Sequence, residues 1–264
     1  MKAALAIAII PLLFANYITI VSPVEQIVQN NSTIFLGNAA PGESIYIEAY
    51  SKTTFNNTLY DIGWSQMKAI ALPEGWESTP TKLYESPVMK LQIKIPTDAK
   101  LGINALKIFA YNAYNKQNIT FFAFVNITKD IFEAKVQNHS SSGVMQPLQY
   151  SIEIRNKGIS DDPFVINCSL PIGCSAIPVV VLHNTTRKVT YEVLLQNPAS
   201  YKFNISVSLL YNPKIVKNFE VTGDVVKQEI KYDFIATSQG ALLSPIVEAP
   251  LYNLIAFILK VLRI

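Results

Sequence analysis

The sequence predicts an all-β protein in which two tandem β-sandwich domains lie between two apolar ends. Two observations predict this fold. Short runs of alternating apolar and polar residues follow one another along most of the chain. A sequence pattern also recurs after about 98 residues, as an internal repeat would. The length of 264 residues suits two domains rather than one.

The composition narrows the class of function. Of all residues 50% are hydrophobic and 16% are charged, whereas a typical globular protein has about 25% charged residues. The net charge is +3, but the basic residues are not clustered along one part of the sequence, so we expect no nucleic-acid binding. Two histidines and two cysteines leave little material for a zinc site or a nucleophilic triad. We therefore expect no cofactor, no metal and no enzymatic activity.

The chain begins with an apolar segment that has the features of an export signal. Lys2 is followed by the uncharged run of residues 3–15, and a basic residue before an apolar core is typical of a secretory signal. We predict that residues 1–22 are a signal peptide or, if uncleaved, a signal anchor. A buried N-terminal helix is the alternative.

Alternating runs predict two domains, residues 23–129 and residues 130–223. In the run from Tyr150 to Ile154, for example, the apolar side chains share one face and the polar ones the other. Seven short strands in about 100 residues are typical of an immunoglobulin-type sandwich. The predicted strands are 44–50, 66–72, 88–95, 103–112 and 118–127, then 131–137, 148–155, 164–169, 176–182, 189–195, 202–211 and 216–221.

The repeat relates the two domains. Leu72-Pro-Glu-Gly-Trp76 matches Leu170-Pro-Ile-Gly-Cys174, and the strands that follow each turn align at the same offset. We therefore expect two copies of one architecture.

Residues 224–241 form an extra strand and linker. The alternating run opens with Asp224-Val-Val and places Gln228, Ile230, Tyr232 and Phe234 on one face. We interpret it as the first strand of an incomplete third unit. Completing the second sandwich, leading into the anchor, or pairing with the edge of a neighbouring subunit are alternatives.

The other apolar end, residues 242–264, predicts a membrane anchor formed by a short C-terminal apolar helix. Residues 251–264 reach about 21 Å as a helix, short of a hydrocarbon core of about 30 Å, so the helix either spans with additional residues or lies at the interface. Packing on the body or on a partner chain is the alternative. The apolar anchor residues are Leu251, Leu254, Ile255, Phe257, Ile258, Leu259, Val261 and Leu262.

Cysteines and asparagines indicate the compartment. Cys168 and Cys174 bracket a tight turn and predict a disulfide in an exported protein, with two buried free thiols as the alternative. Chance predicts roughly two to three copies of the sequon Asn-x-Ser/Thr, and the chain has several times as many. This excess predicts N-glycosylation. The alternative is that a surface rich in Asn, Ser and Thr creates sequons incidentally. The sequon asparagines are Asn30, Asn31, Asn56, Asn118, Asn126, Asn138, Asn167, Asn184 and Asn204.

Other polar groups carry weaker signals. The acidic pair Asp161-Asp162 would suit a calcium site, but turns favour Asp in any case. Ser140 to Ser142 read as an interdomain linker. Trp64 and Trp76 would either stack on sugars or pack in a sandwich.

Several motifs together resemble a known family. Leu72-Pro-Glu-Gly-Trp76, Leu91-Gln-Ile-Lys-Ile-Pro96 and Asp98-Ala-Lys-Leu-Gly102 resemble the immunoglobulin-like modules of archaeal and bacterial surface proteins. With the signal, sequons and tail, the chain resembles the membrane-anchored stalk subunit of crenarchaeal S-layers, although it lacks that family's long coiled coil.

The resemblance implies a function at the cell surface. We expect a non-enzymatic stalk or spacer on the extracellular face of the membrane, which contacts envelope or lattice subunits as a homo- or hetero-oligomer. Alternatives are a pilus- or thread-like filament subunit assembled by strand donation and a carbohydrate-binding or accessory module.

Overall fold

The computed structural model describes residues 17–50, 53–55, 58–60, 63–81, 88–113 and 116–227. These residues form strands and turns without a helix, which confirms the all-β prediction. The chain divides into two compact units, Met1–Ile131 with Gly158–Ser160, and Phe132–Lys157 with Asp161–Ile264.

The first unit contains eleven of the described strands. They are β1 (Tyr17–Ser22), β2 (Gln26–Gln29), β3 (Thr33–Ala39), β4 (Ser44–Tyr50), β5 (Thr53–Phe55), β6 (Thr58–Tyr60), β7 (Gln66–Ala71), β8 (Glu77–Thr79), β9 (Val88–Lys94), β10 (Gly102–Tyr111) and β11 (Asn118–Ile127).

Two sheets of the first unit enclose one hydrophobic core. The five-stranded sheet has the order β2-β1-β4-β9-β8, and the four-stranded sheet has the order β3-β11-β10-β7; β5 and β6 form a separate hairpin. Alternation sends Ile45 and Ile47 of one sheet and Ile108 and Phe121 of the other into the same cluster, all fully buried. The unit is therefore a β-sandwich.

The second unit repeats this plan. Its strands are β12 (Phe132–Val136), β13 (His139–Gly143), β14 (Pro147–Asn156), β15 (Asp162–Cys168), β16 (Ile177–Val181), β17 (Thr186–Leu194), β18 (Ala199–Leu209) and β19 (Val216–Val226). The sheets β12-β14-β17 and β13-β19-β18-β15-β16 pack through aromatic side chains. The Phe132 and Phe164 rings lie 5.0 Å apart, and the Tyr150 and Phe203 rings 5.7 Å apart, both edge-on.

Both strand orders are of the immunoglobulin type. In the letters of that fold, β1-β4-β9-β8 is A-B-E-D and β11-β10-β7 is G-F-C. In the second unit β12-β14-β17 is A-B-E, while β19-β18-β15-β16 is G-F-C with an added C′ strand. In each unit a further strand, β3 or β13, pairs in parallel with the last strand.

Three boundaries differ from the sequence prediction. Residues 17–22, assigned to the signal, form β1, because Ile18 and Ile20 alternate inward and are fully buried. Asp224 to Val226, assigned to an extra strand, complete β19 and pair with β13 and β18. Ser140 to Ser142, predicted to be a linker, lie within β13. Hydrogen bonds between the backbones of β13 and β19 form this strand, so it does not depend on apolar side chains.

Some predicted segments lie outside the described residues. These are residues 1–16 of the signal, residues 228–241 of the extra strand, the anchor at residues 242–264, and Asn56.

Candidate functional site

Aromatic side chains cover the outer side of the four-stranded sheet in the first unit. Along β10, Leu106 and Ile108 are fully buried, so Phe109 and Tyr111 project from the opposite side. The same alternation exposes one Phe of β3 and two of β11, next to isoleucines of β7 and β10. We call this surface the aromatic face; it comprises Phe35, Ile70, Ile103, Phe109, Tyr111, Phe122 and Phe124 with Lys68 and Lys107.

The strand register makes these side chains neighbours. Phe122 lies opposite Lys107, and Phe109 lies opposite Lys68. The Lys107 Nζ atom is 5.7 Å from the centre of the Phe122 ring, and the Lys68 Nζ atom is 5.4 Å from the centre of the Phe109 ring. Both distances fall within the range of cation–π attraction, about 6 Å. Phe109 also stacks on Tyr111, with ring centres 6.5 Å apart.

Solvent reaches much of this surface. Phe35 is 54% exposed and Ile103 is 71% exposed, while Phe109, Tyr111, Phe122 and Phe124 are half-buried. A contiguous apolar patch of this kind is uncommon on a soluble domain and marks an interaction site.

The charges of the aromatic face have one sign. None of the strands β3, β7, β10 and β11 contains an Asp or Glu. The opposite sheet of the same unit is different, because Lys90 pairs with Glu48 at 2.8 Å and Lys94 pairs with Glu77 at 3.6 Å. Within the described residues, Lys68 and Lys107 have no such carboxylate partner.

The predicted disulfide is confirmed. Cys168 at the end of β15 bonds to Cys174 across the turn that follows, with the Cα atoms 5.9 Å apart. Gly173 in this turn has a φ of 91°, a backbone conformation that favours glycine.

The sequon asparagines that the structure describes lie at the surface. Seven of them are exposed, and Asn126 is half-buried with its Nδ2 donating a hydrogen bond of 2.8 Å to Asn38 Oδ1. Asn118 and Asn126 stand at the two ends of β11, on the border of the aromatic face. The exposed asparagines are Asn30, Asn31, Asn118, Asn138, Asn167, Asn184 and Asn204.

Asp161 and Asp162 of the second unit interact with different residues. Asp161 Oδ1 accepts a hydrogen bond from the His183 backbone N–H at 2.9 Å and lies 3.2 Å from His183 Nδ1. Asp162 is 1% exposed and accepts a 2.8 Å hydrogen bond from the Tyr211 hydroxyl. Burial raises the pKa of Asp162 to about 6. Among the described residues, no cluster of three or more His, Cys, Asp or Glu could hold a metal ion.

Both tryptophans belong to the core of the first unit. Trp64 is 4% exposed and donates a hydrogen bond to the Tyr17 carbonyl, and Trp76 is 8% exposed. Neither ring is available for stacking on a sugar, so packing is the correct one of the two interpretations.

The aromatic face is not among the sites predicted above, although one strand of the sequence contains a signal for it. In the predicted strand 118–127 the inward positions carry Phe121 and Val125, and the outward positions also carry Phe122 and Phe124. A strand with one solvated face should show polar residues there.

The chain is similar to known proteins in structure but not in sequence. No family model and no curated protein matches the sequence. Among solved structures, the chain is similar to a chimeric titin Z1Z2 carrying a decorin peptide, at 12% identity with a TM-score of 0.36, over 81% of this chain and 98% of that chain.

Two enzymes are similar over part of their length. An endo-fucoidan hydrolase of glycoside hydrolase family 107 is 10% identical with a TM-score of 0.33, over 76% of this chain and 28% of that chain. Red sea bream transglutaminase is 12% identical with a TM-score of 0.28, over 72% of this chain and 30% of that chain. The chain thus spans less than a third of either enzyme. Within the described part of the chain, no helix is long and apolar enough to cross a membrane.

Proposed function

We propose that the protein is a non-enzymatic structural component of an archaeal cell envelope. It would act as a stalk or spacer that ties a surface lattice of the S-layer kind to the membrane. The observation that carries the proposal is the aromatic face, which gives the first unit a surface suited to binding another envelope subunit.

The aromatic face is more than the fold requires. A sandwich needs apolar residues on the inner side of each sheet only, and the matching strands β18 and β19 of the second unit carry mostly polar residues on their outer side. Burying one phenylalanine side chain contributes roughly 1.5–3 kcal/mol. Covering several such side chains by a partner therefore provides a substantial driving force for association.

Exposed sequons support a position outside the cell. N-glycans on the exposed asparagines would provide the solubility that a chain with 16% charged residues otherwise lacks. The disulfide between Cys168 and Cys174 fits the same oxidising compartment. In the proposal, the signal directs export and residues 242–264 hold the protein at the membrane.

Fractionation of native cells with mild detergent tests the proposal. We expect the full chain to remain with the detergent-insoluble lattice through the first unit. The variant Phe109→Ser with Phe122→Glu introduces the side chains found at the matching positions of the second unit. It should fold, stay membrane-bound, and move into the detergent-soluble fraction.

A control variant distinguishes a loss of binding from a general surface effect. Tyr46→Ser with Lys90→Gln alters the outer side of the opposite sheet, where Lys90 lies 4.5 Å above the Tyr46 ring, and should fractionate as the wild type does. If the aromatic-face variant stayed in the lattice fraction, the proposal would be wrong. Extracellular fibres would favour a filament subunit, and a soluble sugar-binding monomer would favour a carbohydrate-binding module.

A further inference from the structure

We infer that the aromatic face binds a different protein, through a partner surface that is apolar at its centre and carries carboxylates. This inference rests on the proposed function and specifies the chemistry of the partner. Charge, the arrangement of polar groups, and area each contribute to it.

Charge indicates an acidic partner. Three other lysines on the strands form ion pairs with carboxylates, Lys90 with Glu48, Lys94 with Glu77 and Lys202 with Glu220 at 2.9 Å. Lys68 and Lys107 form no such pair among the described residues and stand above phenyl rings instead. Cation–π contact leaves the outer side of each ammonium group open to an anion, so a carboxylate from a partner would complete both sites.

The same charges disfavour a second copy of this chain. Two aromatic faces packed against each other would bring four ammonium groups together without a carboxylate from any of the strands β3, β7, β10 and β11. Like charges at an interface cost several kcal/mol, roughly. We therefore expect a symmetric dimer through this face to be less stable than a complex with an acidic partner.

The distribution of polar groups favours a protein over a polysaccharide. Phe122 and Phe124 on β11 and Phe35 beside Phe124 on β3 form a row of adjacent phenyl rings that offers no hydrogen-bonding group. Polar side chains stand beside this row, with Lys107 opposite Phe122 and Gln66 opposite Tyr111. An apolar centre with a polar rim is the usual anatomy of a protein–protein interface, whereas a sugar site needs polar groups among its aromatic rings.

The size of the face approaches what a stable, specific contact requires. Four strands spaced by about 4.8 Å, with outward positions along about 30 Å, give on the order of 600 Å². Stable interfaces bury roughly 800 Å² on each partner. Because the aromatic face supplies most of this area, residues along its border complete the interface.

Site-specific photo-cross-linking in native cells tests the inference. A photoreactive phenylalanine analogue replaces Phe35, the most exposed phenylalanine of the aromatic face, and the attached peptide is identified by mass spectrometry. We expect a peptide of another envelope protein with Asp or Glu beside apolar residues. Attachment to this chain itself, or to carbohydrate, would overturn the inference.

Charge reversal on the aromatic face measures how much the two lysines contribute to the affinity for the partner. Once the attached protein is identified, its affinity for the full chain is measured in solution at two salt concentrations. Lys68→Glu with Lys107→Glu should weaken binding by about tenfold or more and reverse the sign of the salt dependence. Lys90→Glu, on the opposite sheet, should leave the affinity unchanged. Restoration of binding by an Asp/Glu→Lys change in the attached peptide would establish the pairing.

The two proposals fail in different ways. If Phe109→Ser with Phe122→Glu stays in the lattice fraction, the proposed function fails. If that variant is released but charge reversal leaves affinity unchanged, only the inferred partner chemistry fails.

Discussion

The two units share one strand order and differ on the outer side of the same sheet. The register of β10 and β11 matches that of β18 and β19, so Phe122 corresponds to Glu220, and Phe109 corresponds to Ser206. Inward positions stay apolar in both units, as with Ile108 and Ile205. The inward half of each strand thus maintains the fold, and the outward half is free to acquire a binding function.

The turn after the C strand shows a second difference. Leu72-Pro-Glu-Gly-Trp76 and Leu170-Pro-Ile-Gly-Cys174 both place glycine at a positive φ, 77° for Gly75 and 91° for Gly173. The next residue fixes the turn by a different means in each unit. Trp76 is buried in the core, whereas Cys174 is bonded to Cys168.

The largest effect that separates the units comes from the two turn glycines. A Cβ atom at Gly173 would lie 2.3 Å from the Leu194 carbonyl oxygen, whereas one at Gly75 would lie 3.7 Å from Pro96. We expect Gly173→Ala to cost about 3 kcal/mol or more and Gly75→Ala about 1 kcal/mol. Hydrogen exchange read separately for peptides of each unit measures both losses; equal losses would contradict the structural distinction.

A pH effect belongs to the second unit. The pKa of Asp162 is about 6 in the folded chain against 3.8 for the free side chain. The folded state therefore holds a proton that the unfolded state has released between these pH values. The contribution of Asp162 to stability is therefore greatest below about pH 4 and falls by on the order of 2–3 kcal/mol as pH rises through 6.

Replacement of the carboxyl group isolates this effect. Asp162→Asn should abolish the change in stability between pH 4 and pH 7 that Asp162 contributes, while the hydrogen bond from Tyr211 can be kept. Urea unfolding at several pH values gives the comparison. An unchanged pH profile in the variant would show that other carboxyl groups are responsible.

The disulfide gives a smaller, unit-specific effect. The bond between Cys168 and Cys174 closes a short loop and should contribute about 2 kcal/mol to the second unit. Cys168→Ser with Cys174→Ser should lower the stability of that unit alone. Both tryptophans, Trp64 and Trp76, lie in the first unit, so the fluorescence transition should be the same in the variant and the wild type.

The smallest expected effect concerns glycan occupancy. Asn126 donates its amide to Asn38 and is half-buried, whereas Asn204 is exposed in the middle of β18. We expect lower occupancy at Asn126 than at Asn204 in protein from native cells, measured by glycopeptide mass spectrometry. Asn38→Ala removes the acceptor of the Asn126 amide and should raise glycan occupancy at Asn126. If occupancy did not change, the accessibility of the backbone would explain the difference between Asn126 and Asn204.

Much of the strand pattern followed from the sequence, because alternation reports which residues face a core. Residues 44–50 and 118–127 were predicted with the bounds of β4 and β11. β13 was missed, since its run of serines carries no alternation and its pairing with β19 depends on backbone groups. β1 was assigned to the signal because an apolar strand and an apolar leader have the same composition.

The sequence by itself determined the all-β class and the repeat and favoured the pairing of two nearby cysteines, each of which depends on local spacing. Only the tertiary structure decided that Phe122 and Phe109 lie on one outer face, each with a lysine ammonium group above its ring. Alternation tells which side chains share a side of a strand. Whether that side is covered, and which strands stand beside it, depends on contacts between residues far apart in the chain, such as the parallel pairing of β3 with β11.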